Sequence, residues 1–181
     1  MCYAAKAAPL SFILNVRLDS EKRIVAVYAG DPEQAHNAGC RDCLAHSSTG
    51  RVEGDLVITS NGGYPLDQNI YQAVKGMSTG SACVRPGGVL IMASECSNGH
   101  GGEDFFQWFS SAESPAAVAE KIASIPPERT LPDQWEAQVL ARVMQKSKCV
   151  FVTQPENKAL ITGMHMTYAS TLQNAMEIAR S

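Results

Sequence analysis

The sequence predicts an α/β protein with a mainly parallel sheet flanked by helices, preceded by a β-hairpin and one further helix. Two patterns carry this prediction. After residue 51, short apolar runs alternate with segments whose apolar residues recur at helical spacing, which is typical of parallel strands joined by right-handed crossovers. Before residue 47, two β-rich runs stand close together and precede a helix signal.

The hairpin is predicted from residues 11–18 and 23–29, which are rich in β-branched and aromatic side chains. The polar residues 19–22 separate the two runs and form the turn. A helix is predicted from Pro32 to Ala45, because Asp31 is a good capping residue and proline suits the first helical position. A hairpin of this kind exposes an edge and an apolar face. Pairing of two copies of the chain through the hairpin is therefore one possible form of oligomer.

The polar, glycine-containing stretch 47–50 separates the hairpin part, residues 1–47, from a second part, residues 51–181. Apolar runs in the second part are continuous rather than alternating, as expected for strands buried on both faces. The elements predicted there are strands at 55–59, 89–94, 149–152 and 161–166, helices at 68–83, 115–122, 133–144 and 171–179, an amphipathic stretch at 105–109 and a turn at 85–88.

Composition and charge exclude several classes of protein. The net charge is −3 and no basic stripe is present, which argues against nucleic acid as the main partner. No apolar run is long enough to span a bilayer. The first residues carry one lysine and a weak apolar run that leads into a strand, which does not resemble a secretory signal. A cytoplasmic location is therefore expected.

Six cysteines are scattered along the chain without the spacing of a secreted disulfide framework, so reduced thiols are expected. Cys40 and Cys43 form a C-x-x-C pair, but a zinc site would require a second pair or suitably spaced histidines. A redox pair would lie at the start of a helix, whereas this one falls late in the predicted helix. The role of the pair stays open.

The segment SNGGYPLDQNIYQAVKG, residues 60–76, predicts a ligand-binding turn between a strand and a helix. Asp67 is the predicted cap of that helix. Gln72 and Lys75 are three residues apart, so their side chains project from one face. A lysine and a glutamine in this arrangement suit a carboxylate or hydroxyl group, although a solvated helix face fits the same pattern.

A second polar, glycine-rich connection, residues 95–103, also follows a predicted strand, and ligands of parallel sheets collect at the carboxyl ends of strands. His100 in this connection is either an acid/base group or a loop histidine. Trp135 is either the wall of a ligand pocket or a core anchor. No dinucleotide fingerprint, phosphate-binding loop, nucleophile elbow or paired-histidine metal motif is present.

Three segments together resemble the nickel-dependent lactate racemase family. They are FILNVRLDSEKRIVAVYAGDPEQAH (12–36), SNGGYPLDQNIYQAVKG (60–76) and ASECSNGHGGEDFFQWF (93–109). The likeness is to the carboxy-terminal part of those enzymes, and it covers essentially the whole chain. The resemblance implies that Gln72 and Lys75 face the substrate and that Trp135, in LPDQWEAQV, lies against the active site.

The resemblance also implies a function and a division of labour. The family racemises 2-hydroxy acids by hydride transfer to a nickel-pincer nucleotide, and its acid/base histidines, its cofactor-bound lysine and its nickel-binding histidine belong to the amino-terminal part. Residues 1–47 would then be the tail of a missing amino-terminal domain, and residues 51–181 the carboxy-terminal domain. This chain would carry no catalytic residue or metal ligand, bind no cofactor alone and be inactive alone. Its partners would be a small 2-hydroxy acid and the missing domain.

Two alternatives remain open at this point. One is a non-catalytic binding or assembly module with the same fold, and the other is an unrelated nucleotide-binding α/β domain. The particular 2-hydroxy acid, the oligomeric state and the choice between a truncated chain and a naturally short protein also remain open.

Overall fold

The computed structural model describes residues 2–8 and 10–180, which form two compact units on either side of the Gly50–Arg51 junction. The first unit contains a short helix that the sequence did not predict, α1 (Cys2–Ala7), followed by the strands β1 (Ile13–Leu18) and β2 (Ile24–Gly30) and the helix α2 (Pro32–Ser47). The second unit contains the sheet and the remaining helices. Each unit is described separately.

The hairpin of the first unit is confirmed. Strands β1 and β2 pair antiparallel, and the carboxylate of Asp19 holds the turn by accepting hydrogen bonds from the backbone N–H groups of Glu21 and Arg23, each at 2.9 Å. Asp31 caps α2, since its side chain accepts from the N–H of Gln34. Several apolar side chains of the hairpin are exposed: Leu14, Val16, Leu18, Ile24, Val25 and Val27.

The second unit is built on a parallel four-stranded sheet, as the sequence predicts. Its strands follow one another in chain order across the sheet: β3 (Gly54–Ser60), β4 (Val84–Ala93), β5 (Lys148–Val152) and β6 (Thr167–Ala169). The register pairs Val57 with Leu90, Leu90 with Cys149, and Val150 with Thr167. All strands therefore end at the same edge of the sheet, where a ligand site is expected.

Helices cover both faces of this sheet. They are α3 (Ile70–Ser81), α4 (Glu103–Ser110), α5 (Pro115–Ala123), α6 (Gln134–Lys146), α7 (Lys158–Gly163) and α8 (Leu172–Arg180). Alternate residues of β4 point to opposite faces, so Leu90 and Met92 join the main core under α3 to α7, whereas Ile91 joins a smaller cluster under α8. The continuous apolar run of this strand is thereby explained.

Two predicted elements are wrong. The turn expected at residues 85–88 lies inside the span of β4, because Gly54 pairs with Val84 and Leu56 with Val89, so the intervening residues bulge from the ladder. The strand expected at 161–166 is instead helix α7 and the turn after it. Ile161 and Met164 are three residues apart and both fully buried, which suits a helical turn packed on the core.

Within residues 2–8 and 10–180, no helix is both long and apolar enough to cross a membrane.

Candidate functional site

The connection between β3 and α3 places Asn69, not Asp67, at the cap of the helix. The side chain of Asn69 accepts from the N–H of Gln72 at 2.9 Å, so the cap predicted at Asp67 is wrong by two residues. Asp67 is buried instead, and its Oδ2 accepts from the N–H of Glu95 at 3.3 Å. The reason is tertiary: the carboxylate is drawn toward the neighbouring connection after β4.

The connections after β3 and after β4 are joined by backbone hydrogen bonds. The donor and acceptor pairs are Ile70 N to Gly99 O, Tyr71 N to His100 O, Cys96 N to Asp67 O and Asn98 N to Gln68 O. The end of β5 joins them, because the hydroxyl of Thr153 donates to the carbonyl of Glu95 at 2.8 Å and the amide of Asn157 donates to that of Cys96 at 3.0 Å. Three strand ends thus form one rigid polar rim.

Gln72 and Lys75 lie together on α3 beside this rim. The Nζ of Lys75 donates to the Oε1 of Gln72 at 2.7 Å, and Lys75 is exposed while Gln72 is half-buried. Asn61 ties the turn after β3 to the same stretch of helix, since its amide donates to the carbonyls of Leu66 and Gln72 at 2.7 and 2.6 Å. The two side chains singled out from the sequence therefore present one ammonium and one amide together at the carboxyl edge of the sheet.

Trp135 lies near the start of α6 and against the start of α3. It is 55% exposed, so it is not a core anchor, and its ring meets that of Tyr71 edge-to-face with centroids 6.1 Å apart. Tyr71 meets Phe105 of the core in the same way at 5.3 Å. Tyr71 thus links the exposed indole to the core, and Trp135 shares the neighbourhood of α3 that carries Gln72 and Lys75.

Glu136, the next residue, was missed by sequence reasoning. Its side chain is only 1% exposed, and its Oε1 has no hydrogen-bond partner among the described residues. Burial raises the pKa of Glu136 to about 7, with Lys75 lowering it and Asp133 raising it further. Its spacing held a signal, because positions 136, 140 and 143 fall on one helix face and Leu140 and Val143 are apolar.

Tyr71 was also not singled out from the sequence. Burial raises the pKa of the Tyr71 phenol, and the negative charges of Asp133 and Glu136 raise it further. The phenol therefore stays neutral at physiological pH and acts as a hydrogen-bonding group beside Trp135.

The histidines of the second unit have local partners. The His100 ring stacks on Phe106 with centroids 5.3 Å apart, and its Nδ1 accepts from the N–H of Gly102 at 3.0 Å. The Nε2 of His165 lies 3.1 Å from the carbonyl of Phe109. These contacts hold loops and helix ends in place.

The described parts of the chain bring together no group of three or more histidine, cysteine, aspartate or glutamate side chains that could hold a metal ion. Cys40 and Cys43 are exposed on α2, where the sulfur of Cys40 lies 3.5 Å from the Nε2 of His36 and the thiol of Cys43 donates to the hydroxyl of Ser47 at 3.9 Å. One thiol with one imidazole, or with one hydroxyl, supplies fewer ligands than a nickel site needs.

Comparison with known proteins agrees with the resemblance drawn from the sequence. The family model described as the lactate racemase C-terminal domain matches residues 49–181. The lactate racemase of Thermoanaerobacterium thermosaccharolyticum is 50% identical over 181 residues, all of this chain and 42% of that protein. The lactate racemase of Lactiplantibacillus plantarum is 45% identical over 179 residues, 99% of this chain and 42% of that protein.

A solved structure, that of the lactate racemase apoprotein from T. thermosaccharolyticum, superposes with a TM-score of 0.93 at 50% identity. The match covers 99% of this chain and 43% of the solved one. The chain therefore spans about two fifths of the length of the relatives it matches. The chain belongs to the lactate racemase family, and residues 49–181 correspond to the C-terminal domain of that family.

Proposed function

We propose that this chain is the substrate-side part of an isomerase that interconverts the enantiomers of a small 2-hydroxy acid. Two relatives named lactate racemase, at 50% and 45% identity, support the reaction class. The observation that carries the proposal is the paired ammonium and amide of Lys75 and Gln72, 2.7 Å apart at the carboxyl edge of the sheet. The two alternatives, a non-catalytic module and a nucleotide-binding domain, have no comparable support.

The proposed binding chemistry follows from the two side chains. A 2-hydroxy acid offers a carboxylate and a neighbouring hydroxyl, and the Lys75 ammonium supplies the point charge that pairs with the carboxylate. With its Oε1 held by Lys75, the amide of Gln72 directs its NH₂ donors outward, toward the same ligand. The exposed face of Trp135 covers the ligand and keeps water away from it.

The reactive half of the enzyme belongs, in this proposal, to the part of the full-length protein beyond this chain. A nickel-pincer nucleotide supplies acceptance and return of a hydride when bound, and the donors described here do not fit nickel. Residues 1–47 would belong to the amino-terminal domain, and residues 51–181 would supply the substrate-binding side chains. Unpaired thiols at Cys40, Cys83 and Cys149 suit the reducing cytoplasm, where we place the enzyme.

A chimaera tests the proposal. This chain replaces the matching 42% of the T. thermosaccharolyticum lactate racemase, and the purified protein is assayed for L-lactate conversion and nickel content. Lys75→Met should raise the KM for lactate by about 10- to 100-fold, because it removes a charge-assisted hydrogen bond to the substrate, and should leave nickel content unchanged. Gln72→Ala should act in the same direction but less strongly, since it removes a neutral donor.

The matched control is Lys158→Met, which removes an exposed lysine on α7. It should leave KM and nickel content as they are. An unchanged KM in the Lys75→Met chimaera would remove Lys75 from the substrate site.

A further inference from the structure

Glu136 is a carboxyl group buried beside the proposed substrate site with no evident structural use. Its Oε1 has no hydrogen-bond partner among the described residues, although the side chain is almost fully buried. Such a group costs free energy wherever it lies and is uncommon in folded proteins. It directly follows Trp135 on α6, and α6 packs against α3. A buried, partly unsatisfied acid in this place is better explained by function than by stability.

The charges around Glu136 are few. Lys75 of α3 favours its ionised form, Asp133 near the start of α6 opposes it, and Tyr71 of α3 is the neighbouring phenol. The ammonium of Lys75 donates to Gln72 rather than to Glu136, so the attraction acts across space. The negative form of Glu136 therefore depends on a single cation, which is also the proposed partner of the substrate carboxylate.

The other elements packed on α6 bring apolar side chains. The hydrophobic core that α6 shares with α4, α5, β4 and β5 contains two buried thiols, those of Cys96 and Cys149. Burial raises the pKa of Cys96 above its ordinary value and that of Cys149 to about 11, so neither thiol ionises near neutrality. Among these three buried groups, Glu136 is the one expected to titrate near pH 7.

Resting on the function proposed above, we propose that binding of the substrate carboxylate at Lys75 is coupled to proton uptake by Glu136, which acts as a positioning residue through Lys75. The substrate anion neutralises the one charge that favours ionised Glu136 and adds a like charge nearby. A proton from solvent therefore adds to the Glu136 carboxylate as the anion binds. The uptake equals the fraction of Glu136 that is ionised in the free enzyme, and the site holds the anion beside a neutral acid.

The expected effect is a dependence of KM on pH. The Glu136 carboxyl of the free enzyme titrates with a pKa of about 7, so the fraction of enzyme in which it is already protonated falls about tenfold between pH 6 and pH 8. Only this fraction binds the substrate anion without first taking up a proton. The KM of the chimaera for L-lactate should therefore rise about tenfold over this interval. Glutamine at position 136 is neutral at every pH. The KM of the Glu136→Gln chimaera should therefore stay, at both pH 6 and pH 8, near the KM of the unsubstituted chimaera at pH 6.

The control variant is Glu120→Gln, which neutralises an exposed carboxylate on α5 and should keep the pH dependence of the parent. Ionisations elsewhere in the enzyme and its cofactor are common to all three proteins and cancel in the comparison. The ratio of kcat between Glu136→Gln and the parent should not depend on pH. A purely structural role of Glu136 would instead change kcat and KM without flattening the profile of KM.

A second measurement uses the 181-residue chain and needs no activity. The Glu136 carboxyl carbon is titrated by ¹³C NMR in the parent, in Lys75→Met and in Lys158→Met. Loss of the Lys75 charge should move the midpoint above that of the parent, and Lys158→Met should not. An unmoved midpoint in Lys75→Met would overturn the coupling even if Glu136→Gln fails to fold.

The two proposals fail in different ways. If Lys75→Met leaves KM unchanged, the proposed substrate site is wrong, and the coupling falls with it. If Lys75→Met raises KM but Glu136→Gln keeps the tenfold rise between pH 6 and pH 8, only the coupling is wrong.

Discussion

Burial of Glu136 should make the second unit less stable as pH rises, and Glu136→Gln should remove that dependence. The pKa is 4.5 for an ordinary glutamate and about 7 in the folded protein. Since the folded pKa is the higher one, the folded state binds the proton more tightly. The favourable contribution is fully present below pH 4.5 and is lost as pH rises to about 7.

The magnitude follows from the two pKa values. Multiplying the difference between 4.5 and about 7 by about 1.4 kcal/mol gives an upper limit of about 3.5 kcal/mol. Between pH 5 and pH 8 the linkage relation leaves about 2.5 kcal/mol of this change. Relative to the parent, Glu136→Gln should therefore gain about 2.5 kcal/mol in free energy of unfolding over that interval.

Urea unfolding followed by tryptophan fluorescence measures the stability of the second unit, which contains Glu136. Trp108 and Trp135 are the two tryptophans of the sequence, and both lie in the second unit. The exposed control Glu120→Gln should keep a constant difference from the parent at pH 5 and pH 8. A constant difference for Glu136→Gln as well would show that its carboxyl titrates normally, and the reasoning from burial would be wrong.

Two further predictions concern packing and thiol reactivity. A Cβ at Gly101 would lie 2.4–2.8 Å from the capping side chain of Asn69 at a φ of 82°, whereas Gly87 has nearly the same φ, 81°, and open space. Gly101→Ala should therefore lower the free energy of unfolding by about 1 kcal/mol more than Gly87→Ala, the usual value of a helix cap, and equal losses in urea unfolding would contradict this. Burial raises the pKa of Cys149 to about 11, so at pH 8 a thiol reagent should modify the exposed Cys40 at least tenfold faster, and equal rates would refute the buried placement.

Sequence periodicity predicted the elements whose local pattern and tertiary role agree. The runs at 89–94 and 149–152 are continuously apolar because both faces of β4 and β5 are covered, and they were recognised as strands for that reason. The segment at 161–166 was misassigned, because a short apolar run is equally consistent with a strand or a buried helical turn. Packing of Ile161 on the core decides between them, and no local pattern reports that packing.

In the candidate site, too, the features set by local sequence were predicted and those set by tertiary packing were not. That Gln72 and Lys75 lie together follows from their spacing on one helix, which is local information. The position of Trp135 against Tyr71 depends on the packing of α6 on α3, and the family resemblance, not the pattern, pointed to it. The raised pKa of Glu136 arises from burial by residues distant in the sequence. Asp67 does not cap α3, because its carboxylate accepts a hydrogen bond from Glu95 instead. The contact of Asp67 has no signature in neighbouring residues, and the helical spacing of Glu136 with Leu140 and Val143 indicates its burial but not the size of its pKa change.

Racemisation by the chimaera of this chain with the rest of the T. thermosaccharolyticum enzyme tests the central claim most directly. Formation of D-lactate from L-lactate is measured for the nickel-loaded chimaera, for its Lys75→Met variant and for the 181-residue chain alone. We expect the chimaera to form D-lactate at a rate within about tenfold of the parent racemase, the variant to be impaired mainly in KM, and the isolated chain to be inactive. A folded, nickel-loaded chimaera that forms no D-lactate, or an isolated chain that does, would contradict the claim.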